Sequence, residues 1–223
     1  LDNNNLVGPL PAINTLRNLF FLNLPGNQLS GPIPSLDGMT KLTHIWLNDN
    51  RLTGAIPPLT GSPLLVQVRI GNNLLTGPVP SLAGLDDLSI LYLSNNQLSG
   101  SIPSLAGLVD LQSLYLNDNQ LSGPMPSFNG LSSLEDVNLS DNRLRGTVPS
   151  LAGAPNLRWL QIDGNRLHGT MPAATPNLTG SVSDLCPNYF SPTPNPAWDA
   201  ATGDTPYYRD CNTDVIFFDT FEL

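Results

Sequence analysis

The sequence predicts a solenoid of short parallel strands, and three observations carry that prediction. An asparagine returns every 23 residues without a break, at Asn4, Asn27, Asn50, Asn73, Asn96, Asn119, Asn142 and Asn165. Each asparagine opens the same phrase, with Leu two residues on, Gly four on and Pro seven on, as in Asn27 to Pro34 and Asn96 to Pro103. Aliphatic residues also stand eight, five and three positions before it, such as Leu88, Leu91 and Leu93, then Leu111, Leu114 and Leu116. A fixed period of about 20–50 residues marks units that bury a shared core by stacking.

Each part of the unit has a physical reading. The residues five and three before the asparagine have the period-two spacing of a strand, so Leu91 and Leu93 point inward and Tyr92 outward. Stacked units then give a parallel sheet with strands about 4.8 Å apart. After the strand the chain turns, and a buried turn leaves backbone groups that need partners. The asparagine amide both donates and accepts, so one copy per turn is expected to bridge to the turns above and below. The glycine four residues on marks a bend or a close approach, and the proline locks an extended return. No long helix fits in what remains.

Leu-x-x-Leu-x-Leu-x-x-Asn-x-Leu is the leucine-rich repeat signature. The appended x-Gly-x-Ile-Pro resembles the plant-type subclass found in receptor-kinase ectodomains and polygalacturonase-inhibiting proteins. The resemblance covers residues 1 to about 172. It implies a right-handed superhelix with one parallel sheet on its concave side and short extra strands near the Gly-x-Ile-Pro segment. Pro-Ser-Leu-Ala-Gly-Leu, as in Pro103 to Leu108, makes these units one residue shorter than is usual for the subclass. The paired-cysteine N-terminal cap of plant ectodomains has no counterpart here.

The expected organisation is an array over residues 1–172 and a C-terminal cap over residues 173–223. Asn188 keeps the phase, so Leu185 to Phe190 reads as a last degenerate turn. Ser191 to Pro196 reads as an irregular link. Val215 to Phe218 and Phe221 are apolar enough to cover the open end of the core. Leu1 falls in mid-repeat, which points to a removed leader and cap or to an excised fragment.

Net charge is −9 with a single lysine, Lys41, which argues against a nucleic-acid or anionic-membrane partner. No apolar run approaches the ~20 residues of a membrane helix. Cys186 and Cys211 both follow the array. A disulfide, with an extracellular location, is the economical reading, and two buried thiols are the alternative. Zinc would need two further ligands, and His44 and His168 lie far upstream. No cofactor is implied.

Function is expected where residues stop repeating. The column four before each asparagine reads Asn23, Trp46, Arg69, Tyr92, Tyr115, Asn138 and Gln161. Six before, it reads Phe21, His44, Gln67, Ile90, Ser113, Asp136 and Trp159. Both columns face out of the concave sheet. The stripe from Trp46 to Tyr115 spans roughly 14 Å of aromatic and guanidinium surface. Such residues anchor binding surfaces because they bury much area at little entropic cost. Stacked tyrosines also stabilise a sheet regardless of what it binds. Phe20 and Phe21 either join this surface or cover the N-terminal end.

Glu135, Asp136, Asp141 and Asp163 gather at the other end, where they either meet a basic partner or simply solvate the surface. Asp118 and Asp141 lack the closed ligand loop that calcium prefers. No nucleophile elbow, phosphate loop or metal helix is present, and His44 has no convergent partners for catalysis. A column of hydroxyls, Ser30, Thr53, Thr76, Ser99 and Ser122, could order water as an ice-binding face, although Arg145 and His168 interrupt it. Asn177-Leu178-Thr179 and Asn138-Leu139-Ser140 match the N-glycosylation pattern. The second lies mid-strand on the binding face, where a chance match is expected.

The sequence thus predicts a non-catalytic, secreted or surface-displayed module that binds a protein or peptide on its concave sheet. Its candidate site is Phe21, His44, Trp46, Arg69, Tyr92, Tyr115, Asp136, Asn138 and Trp159. The alternatives are a glycan held by the same aromatics, ice, and a structural segment of a larger adhesin.

Overall fold

The computed structural model describes residues 2, 4–178, 185–191 and 195–203. Seven coils each contribute one strand to each of two parallel sheets, and the second sheet gains one further strand at either end, all numbered along the chain. The concave sheet holds β2 (Phe21–Asn23), β4 (His44–Trp46), β6 (Gln67–Arg69), β8 (Ile90–Tyr92), β10 (Ser113–Tyr115), β12 (Asp136–Asn138) and β14 (Trp159–Gln161). The second holds β1 (Val7–Pro9), β3 (Gln28–Pro32), β5 (Arg51–Ala55), β7 (Leu74–Gly77) and β9 (Gln97–Ser101). It continues through β11 (Gln120–Gly123), β13 (Arg143–Gly146), β15 (Arg166–Gly169) and β16 (Tyr189–Phe190). These are the short extra strands that the Gly-x-Ile-Pro segment implied. The array is a solenoid of parallel sheets, as the leucine-rich repeat pattern implied.

The two sheets differ in register. In the concave sheet like faces like, so Asn23, Trp46, Arg69, Tyr92, Tyr115, Asn138 and Gln161 form one straight rank. In the second sheet the pairing slips by two residues per coil. Ser30 lies opposite Arg51, Thr53 opposite Leu74, Thr76 opposite Gln97 and Ser99 opposite Gln120. The hydroxyl column therefore runs diagonally across that sheet, each member facing a longer side chain.

The core is the predicted one, with Leu88, Leu91 and Leu93 at most 1% exposed and their counterparts stacked above and below. The asparagine ladder works in one direction only. Asn73 Oδ1 accepts from Leu52 N–H at 2.9 Å, and its Nδ2 donates to Leu47 O, Ile70 O and Gly71 O at 3.0, 3.0 and 3.1 Å. Each side chain therefore serves its own coil and the preceding one. The Leu75 N–H two residues beyond Asn73 is served by Asn96. The reach is one-sided because one amide has a single plane and its oxygen is already committed. Asn188 repeats the pattern with Leu167 N–H, Ile162 O and Leu185 O, so the ladder continues to β16.

The residue before each ladder asparagine adopts the left-handed region at Asp49, Asn72, Asn95, Asp118 and Asp141, with φ between 51° and 59°. Gly26 and Gly164 take the same role. Only Gly, Asn and Asp visit that region readily, which accounts for the polar choice at this position.

Pro196, read from the sequence as part of an irregular link, instead begins helix α1 (Pro196–Thr202). Asn195 caps it by accepting from Ala197 N–H, and a proline at the first position costs no hydrogen bond. The helix inserts Trp198, fully buried, whose Nε1 donates to Pro172 O at 2.6 Å. Cys186 is disulfide-bonded. Cys211, Val215 to Phe218 and Phe221 lie outside the described residues.

Candidate functional site

The candidate residues form two aromatic groups on one sheet. At the N-terminal end the Phe21 and His44 rings lie 4.6 Å apart, and the His44 and Trp46 rings meet edge-on at 5.4 Å. The Arg69 guanidinium lies 5.8 Å from the Trp46 ring centre, within cation–π range. Further along, Tyr92 and Tyr115 are 5.8 Å apart and Tyr115 and Trp159 are 5.6 Å apart. The second contact skips a coil. It passes over β12, where Asp136 and Asn138 stand too low to separate the rings. Phe20 and Phe21 are about half exposed.

Asn138 departs from its expected place. It is buried, its Nδ2 donates to Gln161 Oε1 at 2.7 Å, and Ser140 N–H and Oγ–H donate to its Oδ1. A ligand or a glycan would have to break that network to reach it. Asp136 and Glu135 are taken up by Arg158, at 3.2 and 3.0 Å. The acidic end is thus partly neutralised by a residue the sequence columns did not single out. Asp141 is held above the ordinary carboxylate range by burial and then by Asp118. Among the described residues no group of three His, Cys, Asp or Glu side chains is placed to hold a metal.

Electrostatics at the other end follow from burial. Burial first, then the Arg69 charge, hold the His44 imidazole below its ordinary range. Burial first, then Asp136, push the Tyr115 phenol up. Pro25, Trp46, Asn48, Gln67 and Arg69 line a shallow cavity of about 410 Å³. Hollows of about 630 and 450 Å³ lie on the proline-bearing side. Their walls include residues that recur at one position from coil to coil, such as Pro103 and Pro126 or Ser81, Ser104 and Ser127, with no titratable group. They belong to the scaffold. Asn23, Gln67 and Gly71 join the site although the candidate list omitted them. The first two stand in its two outward columns, while Gly71 matters only because of the ring above it.

Residues 41–62, 86–124 and 124–167 match family profiles described as leucine-rich repeats. No curated protein matches the chain. Among solved structures, the chain is similar to a TDR receptor at 36% identity and TM-score 0.77, covering 84% of this chain and 34% of that one. It is similar to the ectodomain of the Arabidopsis receptor kinase HAESA, solved with an extended IDA peptide hormone, at 31% identity and TM-score 0.72, covering 92% and 40%. It is also similar to a plant ice-binding protein at 28% identity and TM-score 0.73, covering 91% and 69%. The chain therefore spans about 34–40% of the receptor chains it matches. Among the described residues no helix is long and apolar enough to cross a membrane.

Proposed function

The chain is a leucine-rich repeat protein of the plant-type subclass, and from that premise we propose that it is a non-catalytic extracellular module binding a protein or peptide on its concave sheet. One observation carries the reading. Seven large or cationic side chains, Phe21, His44, Trp46, Arg69, Tyr92, Tyr115 and Trp159, occupy the outward columns where packing requires none. HAESA, a structural relative, was solved with a peptide hormone, which supports a peptide as the ligand class. The disulfide at Cys186 supports an oxidising, extracellular compartment.

The test uses a peptide recovered from a displayed random library on the intact chain. Trp46→Ala with Tyr115→Ala is expected to weaken its binding at least about thirtyfold, the loss of one interface hot spot. Unchanged affinity with an intact fold sinks the assignment. A glycan array addresses the carbohydrate alternative, since strong binding there with no recoverable peptide would transfer the aromatics to sugar.

A second reading, ice binding by the outer face of the second sheet, is favoured by the likeness to a plant ice-binding protein. The diagonal hydroxyl rows weigh against it. Absence of ice shaping and of recrystallisation inhibition at micromolar protein removes it.

A further inference from the structure

The second sheet is basic on an acidic protein. Net charge is −9, yet the strands of this sheet hold four of the nine lysines and arginines and none of the 18 acidic residues. Three of those arginines stand together at one end, Arg143 and Arg145 on β13 and Arg166 on β15, and all three are exposed. Arg145 lies directly opposite Arg166, and the exposed His168, opposite Tyr189, extends the group. The hydroxyl column that runs through Ser99 and Ser122 gives way here to Arg145 and His168. Repetition therefore stops on this sheet as it does on the concave one.

The fold does not require the cluster. Like charges directly opposite one another on neighbouring strands destabilise a sheet. The outward position held by Arg143 and Arg166 is Gln97 and Gln120 in preceding coils, so packing there needs no charge. Among the described residues none of the three arginines forms an ion pair, whereas Arg158 takes up Glu135 and Asp136. Three exposed guanidinium groups without carboxylates call for acid from outside.

We propose that β13 and β15 present a docking surface, separate from the concave site, for an extended acidic segment of a partner protein. Alternate side chains of an extended chain stand about 6.6 Å apart, which is also the separation of Arg143 from Arg145 along β13. Carboxylates at every second position of the partner therefore meet one guanidinium after another. Arg166, about 4.8 Å across from Arg145, offers a second fork to the same carboxylate. A nucleic acid brings dense phosphate charge that a protein of net charge −9 repels. A sugar chain is held by ring faces as well as by charge, and Tyr189 is the only outward Phe, Tyr or Trp among the described strands of this sheet.

Fluorescence anisotropy on the intact chain at low ionic strength tests this with a labelled octapeptide that alternates glutamate with threonine. Its isomer, with the glutamates in adjacent pairs parted by two threonines, has the same charge and no glutamates two residues apart. The alternating peptide is expected to bind at least about threefold tighter than the isomer, and Arg145→Gln with Arg166→Gln to weaken it at least about tenfold. Arg51→Gln removes a charge from β5 of the same sheet, more than a Debye length away, and is expected to change affinity by less than about twofold. The double variant is expected to keep or raise its urea midpoint, because a like-charge pair has gone.

Equal binding of the two isomers, or as large a loss in Arg51→Gln as in the double variant, overturns the surface by reducing it to net charge. A lowered urea midpoint in the double variant overturns it by making the arginines structural. Oligogalacturonate or heparin fragments of matched charge that bind tighter than the alternating peptide also overturn it, and give the face to an acidic polysaccharide.

Discussion

The Tyr92 ring lies directly over Gly71 of the preceding coil. A β-carbon on Gly71 would stand 2.7 Å from Tyr92 Cδ1 and closer still to Cε1. Gly71 has no left-handed φ, so its lack of a side chain serves the ring rather than the backbone. Gly71→Ala is expected to lift Tyr92 off the strand and part it from Tyr115. The stability cost is expected to be about 1–2 kcal/mol, as for other overpacked sites. Urea denaturation and a crystal structure of the variant check this, and a Tyr92 ring left in place would refute it.

The one-sided ladder makes two asparagines with the same sequence context unequal. Asn73→Ala leaves the buried Leu52 N–H and the Leu47 and Ile70 carbonyls short of a partner, and is expected to cost about 2–4 kcal/mol. Asn4 is exposed and its Nδ2 bonds only to Asp2 O among the described contacts, so Asn4→Ala is expected to change stability by less than about 0.5 kcal/mol. Equal losses in urea melts would contradict the ladder geometry.

The 23-residue period was enough to place Leu91 and Leu93 inside and Tyr92 outside, because inward positions repeat and their neighbours do not. It did not show how far an outward side chain reaches. Tyr115 meets Trp159 two strands away because β12 between them presents Asp136 and Asn138, a matter of side-chain height. Arg158 was equally hidden, since it pairs with Glu135 and Asp136 from outside both outward columns. The two-residue slip of the second sheet was hidden as well, since a strict repeat reads the same whichever register its strands take. Trp198 is a single residue with no periodic counterpart, so its burial under Pro172 had no pattern to announce it.

Ser62 stands where other coils place Met39, Leu85, Leu108, Leu131 and Ala154, all buried. Its hydroxyl is fully buried without a side-chain hydrogen-bond partner. Ser62→Ala, the residue that Ala154 shows the position accepts, is expected to raise stability by about 1 kcal/mol. A loss of stability in the same urea assay would mean the hydroxyl is satisfied.

Asp141 combines a left-handed backbone with a carboxyl held above its ordinary 3.8 by burial and by Asp118. A raised carboxyl favours the fold fully below the unfolded value near 3.8, and that contribution is lost as pH rises through the folded value. At neutral pH the charge is therefore a liability. Asp141→Asn keeps a side chain that tolerates this φ, as Asn72 and Asn95 do, and because the residue is exposed and its charge screened by water it is expected to add at most about 0.5 kcal/mol. The gain should vanish in acid below about pH 4. A gain that persists there would assign the effect to backbone preference.

His44 couples the concave site to acidity. Thr43 Oγ1 donates to Phe20 O at 2.9 Å, so its oxygen accepts from His44 Nδ1–H at 2.8 Å and the ring titrates at Nε2. Phe21, Trp46, Gln67 and Arg69 surround the ring by stacking or register, and none carries a negative charge. Burial and Arg69 hold its pKa below 6.5. A depressed histidine stabilises the fold in full above the unfolded value of 6.5, and that contribution disappears as pH falls through the folded value. Protonation also sets a second cation beside Arg69, where it competes for the face of Trp46. Peptide affinity is therefore expected to fall as the medium is acidified from about pH 7 to about pH 5, with His44→Gln flattening that dependence. An NMR titration of the His44 ring gives the decisive number: a midpoint at or above 6.5 would refute both the cause and the pH dependence built on it.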